Sequence, residues 1–307
     1  MVPREVDKRK TLKNRGFRKI ILLGFLVALM VFGVFFCIDY FTQKPVATEE
    51  DEDISVTEES SATEDFAPEK IDFQTTIDDW VAKVNGNKSI LIYDLDRSEI
   101  AGEYNIHEDY NTASLYKLFV VYEGYLRVQS GEWDRNEPAG STGYTILECL
   151  DLSIRESYSP CAETLWTKIG HQELDEIIIS KFGIMDSNIS NLTSNANDIM
   201  KMMQIFYNHE GIIDEDLVAQ MKDSFLNQPE TTYDWRRGLP SGFARAKVYD
   251  KVGWEYNPSG YWNIYHDAAI VEFPEENRHF IVVVMTNKID FTQIRELGAA
   301  IEKYYYN

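Results

Sequence analysis

Three cysteines among 307 residues are too few for a disulfide framework, and Cys37, Cys149 and Cys161 show none of the spacings that hold zinc. The five histidines (His107, His171, His209, His266 and His279) are scattered, without the His-x-x-x-His pair of a metalloenzyme. No metal and no cofactor is therefore expected. A Gly-x-Ser-x-Gly elbow is also missing, which argues against a Ser-His-Asp hydrolase of the α/β type. Basic residues become scarce after residue 19. The net charge is −21, and the first 19 residues carry +6, so the remainder carries −27. Phosphate binding needs a basic face, so nucleic acid is not a partner. No internal repeat is visible.

Long apolar runs are limited to one. Ile20 to Ile38 is a stretch of 19 residues without a charge, long enough to cross a bilayer as a helix. The basic cluster at residues 1–19 directly precedes it and predicts a cytoplasmic N-terminus, with everything after the anchor outside. A cleaved signal peptide is the competing reading. The run is longer than a usual signal core and no small-x-small site follows it closely, so a retained single-pass anchor is expected. Residues 39–72 follow as a linker in which acids mix with Ser, Thr, Ala and Pro. Such a segment cannot bury enough apolar area to order itself, and its like charges extend it. Cys149 and Cys161 read as two small buried side chains, with a disulfide open to them if both face an oxidising space.

The globular part spans residues 73–307, and the whole chain, 44% hydrophobic with 18 Tyr and 16 Phe, has enough apolar residues to fill a sizeable core. Phe73–Val84 reads as a helix, and Ser89–Tyr93 and Glu99–Tyr104 as strands about a turn at Asp94–Arg97. A helix opening at Ser114 comes next. A helical region then runs from Thr145 to Phe182, broken near Ser157–Pro160, with further helices at Ala196–Tyr207 and Asp214–Leu226. Strands return at Ala246–Trp254, Trp262–Phe273 and His279–Asn287, and a helix at Phe291–Tyr305 closes the chain. This order describes an α+β domain: a mixed sheet drawing strands from both chain ends, with helices covering it and forming a second lobe.

Three short motifs fall on these elements. Ser114-Leu-Tyr-Lys117 places a hydroxyl and an amine one helical turn apart, which can make a weak nucleophile attack a carbonyl. Ser157-Tyr158-Ser159 sits in the helix break. Lys251-Val252-Gly253 lies on a late strand, preceded by Arg237-Gly238-Leu239-Pro240-Ser241-Gly242. In this order the set resembles the penicillin-recognising serine hydrolases, most closely the class A β-lactamase-like group, whose signature is Ser-x-x-Lys, Ser-Asp-Asn and Lys-Thr-Gly. The resemblance covers residues 73–307. It implies a β-lactamase/transpeptidase-like fold, an antiparallel sheet flanked by helices plus an all-helical lobe. It also implies acyl transfer from a β-lactam or a peptidoglycan-like peptide. Ser114 would be the nucleophile, Lys117 the base and Ser157 the proton relay to the leaving nitrogen. Lys251 would supply positive charge, Ser159 and Gly253 would line the substrate, and the N–H groups of Ser114 and Trp254 would form the oxyanion hole. One such donor is worth roughly 3 kcal/mol of barrier.

Three departures narrow that expectation. Tyr158 and Ser159 stand where the group has Asp and Asn, and Val252 replaces a hydroxyl residue. Between Gly170 and Asp198 the group carries a Glu-x-x-Leu-Asn loop whose glutamate activates the deacylating water. Here Ile184–Asn195 contains no glutamate, and Glu173 and Glu176 read as surface charge on a helix. Acylation is expected and fast deacylation is not. The alternative is a catalytically silent module that binds wall fragments or a protein partner. His266 is expected to be a structural or surface histidine, with a substrate contact as the other possibility, and Trp254, Tyr256, Tyr261, Trp262 and Tyr265 to be packing aromatics or the cleft mouth. Oligomeric state is not legible.

Overall fold

The computed structural model describes residues 68–228, 238–256 and 263–307. The expected basic tail, the Ile20–Ile38 anchor, most of the acidic linker, and the side chains of Arg237, Tyr256, Tyr261 and Trp262 lie outside the described residues. Among the described residues no helix is long and apolar enough to cross a membrane.

The chain enters along residues 68–72, where the Pro68 and Glu69 carbonyls accept hydrogen bonds from Arg97 (2.6 Å) and Arg278 (2.9 Å). Helix α1 (Gln74–Lys83) follows, then the hairpin β1 (Asn87–Asp94) and β2 (Glu99–Tyr104). Asp94 Oδ1 accepts from the backbone N–H groups of Asp96 and Arg97, an Asx turn, and Ser98 takes a positive φ of 54° to close it. A short β3 (Tyr110–Asn111) and a 3₁₀ turn (Ala113–Leu115) lead into helix α2 (Tyr116–Gln129). Helices α3 (Ile146–Arg155), α4 (Ser159–Ile169) and α5 (His171–Phe182) come next, then β4 (Thr193–Ser194), α6 (Ala196–Asn208) and α7 (Glu215–Leu226). Strands β5 (Lys247–Tyr256), β6 (Asn263–Phe273) and β7 (Arg278–Asn287) return before helix α8 (Phe291–Tyr305).

The five-stranded sheet has the order β2-β1-β7-β6-β5. Every pairing in it is antiparallel, so the mixed sheet read from the element order is corrected to the antiparallel one that the resemblance implied. The physical reason is that β5, β6 and β7 follow one another with short connections, which only antiparallel neighbours permit. β1 then pairs with β7 from Asn87↔Asn287 to Asp94↔Phe280, joining the two ends of the domain.

The sheet is buried on both faces, which is why Phe280-Ile-Val-Val-Val-Met285 is apolar without alternation. Ile281, Val283 and Met285 face the helical lobe, whose core also holds most of α2, α4 and α6. Phe280, Val282 and Val284 face α1 and α8. Helix α2 is buried nearly all round from Tyr116 to Tyr125 and forms the axis of the helical lobe. Its one acid, Glu123, is paired with Arg127 and Lys181, each at 2.9 Å. Helix α3 begins with a capping box between Thr145 and Glu148, and α8 with one between Asp290 and Gln293.

Cys149 of α3 and Cys161 of α4 form a disulfide, with Cα atoms 4.9 Å apart. The expectation of two buried thiols is thus corrected. Both side chains are fully buried, as read from the sequence, but the break at Ser157 folds α4 back along α3 and brings the sulfurs together.

Candidate active site

Ser114 lies in the 3₁₀ turn, and the α-helix proper begins two residues later, at Tyr116. The turn is held in an unusual backbone shape. Ala113 has a φ of 43°, a left-handed conformation that a non-glycine residue adopts only when its surroundings enforce it. Three contacts do so. Asn111 Oδ1 accepts from the Ala113 N–H at 2.8 Å, Thr112 donates to the Leu192 carbonyl at 2.7 Å, and Leu115 donates to the Thr112 carbonyl at 2.9 Å.

Two strands press on this turn. At Gly253 of β5 a methyl group would lie 2.8 Å from the Thr112 carbonyl oxygen and 3.0 Å from Leu115, so the strand backbone approaches the Ser114 turn more closely than any side chain permits. From β6, His266 donates Nε2–H to the Asn111 carbonyl at 2.8 Å, while its Nδ1 accepts from the Thr286 N–H at 2.9 Å. Both ring nitrogens are used and the imidazole is wholly buried, edge-on to Tyr110. Burial pushes its pKa down to about 4, against hydrogen bonds that act the other way. His266 is therefore a neutral strut under the Ser114 turn, in line with the structural role expected of it.

Lys117 is completely buried, and its amine is held by oxygens of the second motif: the Ser157 carbonyl, Ser157 Oγ at 3.2 Å and Ser159 Oγ at 3.0 Å. Lys251 Nζ approaches from β5, donating to Ser157 Oγ at 2.9 Å and to the Val252 carbonyl at 2.7 Å. The Ser157 hydroxyl thus lies between the two amines. Ser157 itself has a φ of 51°, set by the break between α3 and α4, where Tyr158 N–H turns back to the Leu152 carbonyl at 3.0 Å. Tyr158 points outward and meets Tyr144 edge-on, so the residue in the aspartate position contributes no polar group to the cluster.

Burial lowers the pKa of Lys117 to about 8, with the Glu163 carboxylate pulling in the opposite direction. Lys251 is driven well below its ordinary range, first by burial and then by the charge of Lys117, although Asp250 and Asp267 favour its ammonium form. Two amines near a shared hydroxyl, one titrating near neutrality, can take up and pass on a proton. The structure therefore gathers Ser114, Lys117, Ser157, Ser159, Lys251 and Gly253 into one region. Trp254 follows Gly253 on β5, half-buried and opposite Tyr265 in the β5–β6 pairing. Tyr265 packs edge-on against Phe291.

The other predicted features are scaffold. Glu173 pairs with Arg127 at 2.5 Å on the surface. Ile184–Asn195 forms a 3₁₀ turn and β4, organised by Asp175, which accepts from the Ile189 N–H, and by the buried Asp198, which accepts from Ser187. In the Gly238–Gly242 run, a methyl at Gly242 would collide with the Arg295 carbonyl of α8, and one at Gly238 with Asp267. That run seats α8 against the sheet. Sequence reading passed over Glu163, whose Oε1 accepts from the Tyr116 hydroxyl at 2.6 Å; its position six residues after Ser157, one and a half turns into α4, was the available signal.

An antiparallel sheet carrying a Lys-x-Gly strand beside a Ser-x-x-Lys helix, with a serine between the two amines, defines the class A β-lactamase-like fold. The profile of the Beta-lactamase enzyme family matches residues 72–305, and the chain belongs to that family. Among solved structures it is similar to a class A β-lactamase representative from Bacteroides cellulosilyticus, at 13% identity and a TM-score of 0.64, covering 75% of this chain and 96% of that one. A β-lactamase from Chitinophaga pinensis matches at 13% identity and a TM-score of 0.63, over 76% and 97% of the two chains. A reconstructed ancestral class A β-lactamase matches at 14% and 0.64, over 75% and 99%. At these identities the likeness speaks to the fold. A search of curated proteins found none that matches the chain.

Proposed function

We propose that the protein is a serine hydrolase anchored by Ile20–Ile38 outside the cytoplasmic membrane, acylated on Ser114 by β-lactams or cell-wall peptides. The observation that carries this reading is the Ser157 hydroxyl lying between the amines of Lys117 and Lys251. Lys117 in its neutral form accepts the Ser114 proton as Oγ adds to the amide carbonyl. Ser157 passes a proton to the leaving nitrogen, and Lys251 supplies the charge that steadies this transfer. The N–H groups of Ser114 and Trp254 take the oxyanion.

A binding module has no need for two fully buried amines, whose desolvation costs several kcal/mol each. This favours the enzyme over the silent alternative. Deacylation is slow in this reading, because Ile184–Asn195 carries no glutamate to activate water. The Cys149–Cys161 disulfide favours an oxidising, extracytoplasmic location.

Labelling with a fluorescent penicillin tests the acylation. Covalent label on the wild type, lost in Ser114→Ala, without turnover of a chromogenic cephalosporin, is the expected result. No label, together with no reaction towards a small fluorophosphonate, would sink the enzyme reading. Retention in the membrane fraction after a high-salt wash tests the anchor.

A further inference from the structure

Tyr116 stands between the nucleophile and the base in sequence, and its environment differs from that of an ordinary core tyrosine. Its ring is buried against Trp166, 5.0 Å between centroids, and the Lys117 amine lies 5.8 Å from the ring centre. Its hydroxyl donates to Glu163 on α4 at 2.6 Å. Burial and that carboxylate hold the phenol above its ordinary range, so it stays a donor and fixes the direction of the Glu163 side chain. Glu163 is otherwise exposed, and with no such donor it would be free to turn to solvent.

We propose that the Glu163 carboxylate, held by the Tyr116 hydroxyl, is a positioning residue that retains the proton on Lys117 and so sets the pH at which Ser114 can be acylated. The proposal rests on the reading above that Lys117 is the base. The titratable and charged groups around Lys117 and the neighbouring Lys251 are few. The Lys117 helix supplies Tyr116, and the α3–α4 break and α4 supply Ser157, Ser159 and Glu163. Strand β5 supplies Lys251, with Asp250 beside it. Strand β6 brings Asp267, which accepts from the Leu239 N–H and favours the charged form of Lys251, and the neutral His266. Of the carboxylates, Glu163 is the one that acts on Lys117, and it opposes the effect of burial.

The sign of its effect is unusual for an active-site acid. Lys117 must be neutral to accept the Ser114 proton, and a nearby negative charge favours the ammonium. Glu163→Gln keeps the shape and an acceptor for Tyr116 but removes the charge. The acid limb of the acylation pH profile should then move down by about 0.5–1 pH unit, and acylation well below the midpoint should quicken by about 3–10-fold. Tyr116→Phe frees the carboxylate to swing away and should shift the limb in the same direction by less. A purely structural role would lower the rate at every pH and leave the midpoint in place.

The experiment measures penicillin labelling rates of the full chain from pH 5.5 to 9 for the wild type, Glu163→Gln and Tyr116→Phe. In parallel, the Lys117 Cε resonance is titrated by NMR in lysine-labelled protein, assigned by its loss in Lys117→Arg. A downward shift of the Lys117 titration in Glu163→Gln supports the proposal, and an unmoved or raised one overturns it. The NMR arm decides even if the wild type never labels, in which case the function reading fails while the positioning role is still judged.

Discussion

Breaking the Cys149–Cys161 bridge should both destabilise the domain and slow its chemistry, because the bridge brackets the turn that carries Ser157. The two cysteines are 12 residues apart, one in the second turn of α3 and the other near the start of α4. Closing a loop of that size removes conformational entropy from the unfolded chain worth about 3 kcal/mol. For a domain of this size each kcal/mol moves the midpoint by roughly 2–4 °C, so reduction should lower Tm by about 6–12 °C. The effect on chemistry follows from geometry. Ser157 has a positive φ, and its carbonyl and hydroxyl both hold Lys117, so loosening the α3–α4 elbow displaces the hydroxyl that lies between the two amines. The assay compares thermal unfolding and penicillin labelling of oxidised protein, reduced protein and the Cys149→Ala/Cys161→Ala variant, with the bridge verified by intact mass. Equal Tm for the verified oxidised and reduced forms would refute the reasoning, as would free thiols in protein prepared under oxidising conditions.

The buried His266 predicts an acid-sensitive fold. Its folded pKa, about 4, lies below its ordinary 6.5, so the unfolded chain binds a proton that the folded one refuses. Its contribution is intact above about pH 6.5 and is lost as pH falls toward 4, about 3 kcal/mol in all. Urea unfolding at pH 7 and pH 4.5 should show that slope in the wild type and a reduced one in His266→Gln. Gly253→Ala should cost about 1–3 kcal/mol through the clash with Thr112 and lower Ser114 labelling at least tenfold, since the displaced element is the turn that carries Ser114. Circular dichroism would separate that local displacement from global unfolding. Ser114→Ala should abolish labelling while changing the unfolding free energy by no more than about 1 kcal/mol, because the side chain is half-buried and small.

Much of the scaffold was legible because its signals are local. Periodicity marked α1, the helical region from Thr145 to Phe182 with its break at Ser157, and α6 to α8, whereas the second break, at Gly170, was not read. His279–Asn287 was read as a strand, and its apolar run without alternation fits the cover the structure shows on both faces. Ser114, Lys117, Ser157 and Lys251 could be picked out because each sits in a short motif on a predictable element. Strand direction was not legible, since the same apolar run serves either sense of pairing. The disulfide was named but not favoured for a related reason: two buried thiols and a bridge share one hydrophobic pattern, and only the angle at Ser157 distinguishes them. His266 was placed in the scaffold but its contact with Asn111 was unforeseen, because 155 residues separate the two.

By itself the sequence determined the element types, the apolar positions and the residues able to do acyl-transfer chemistry. These follow from side-chain size, polarity and spacing along the chain. The tertiary structure alone decided that Lys117 and Lys251 meet near one hydroxyl, that Gly253 must be bare to pass the Ser114 turn, and that Glu163 is held by the Tyr116 hydroxyl. Proton affinity and close approach depend on what surrounds a group in space. Those surroundings come from strands and helices 40 or more residues apart in the chain.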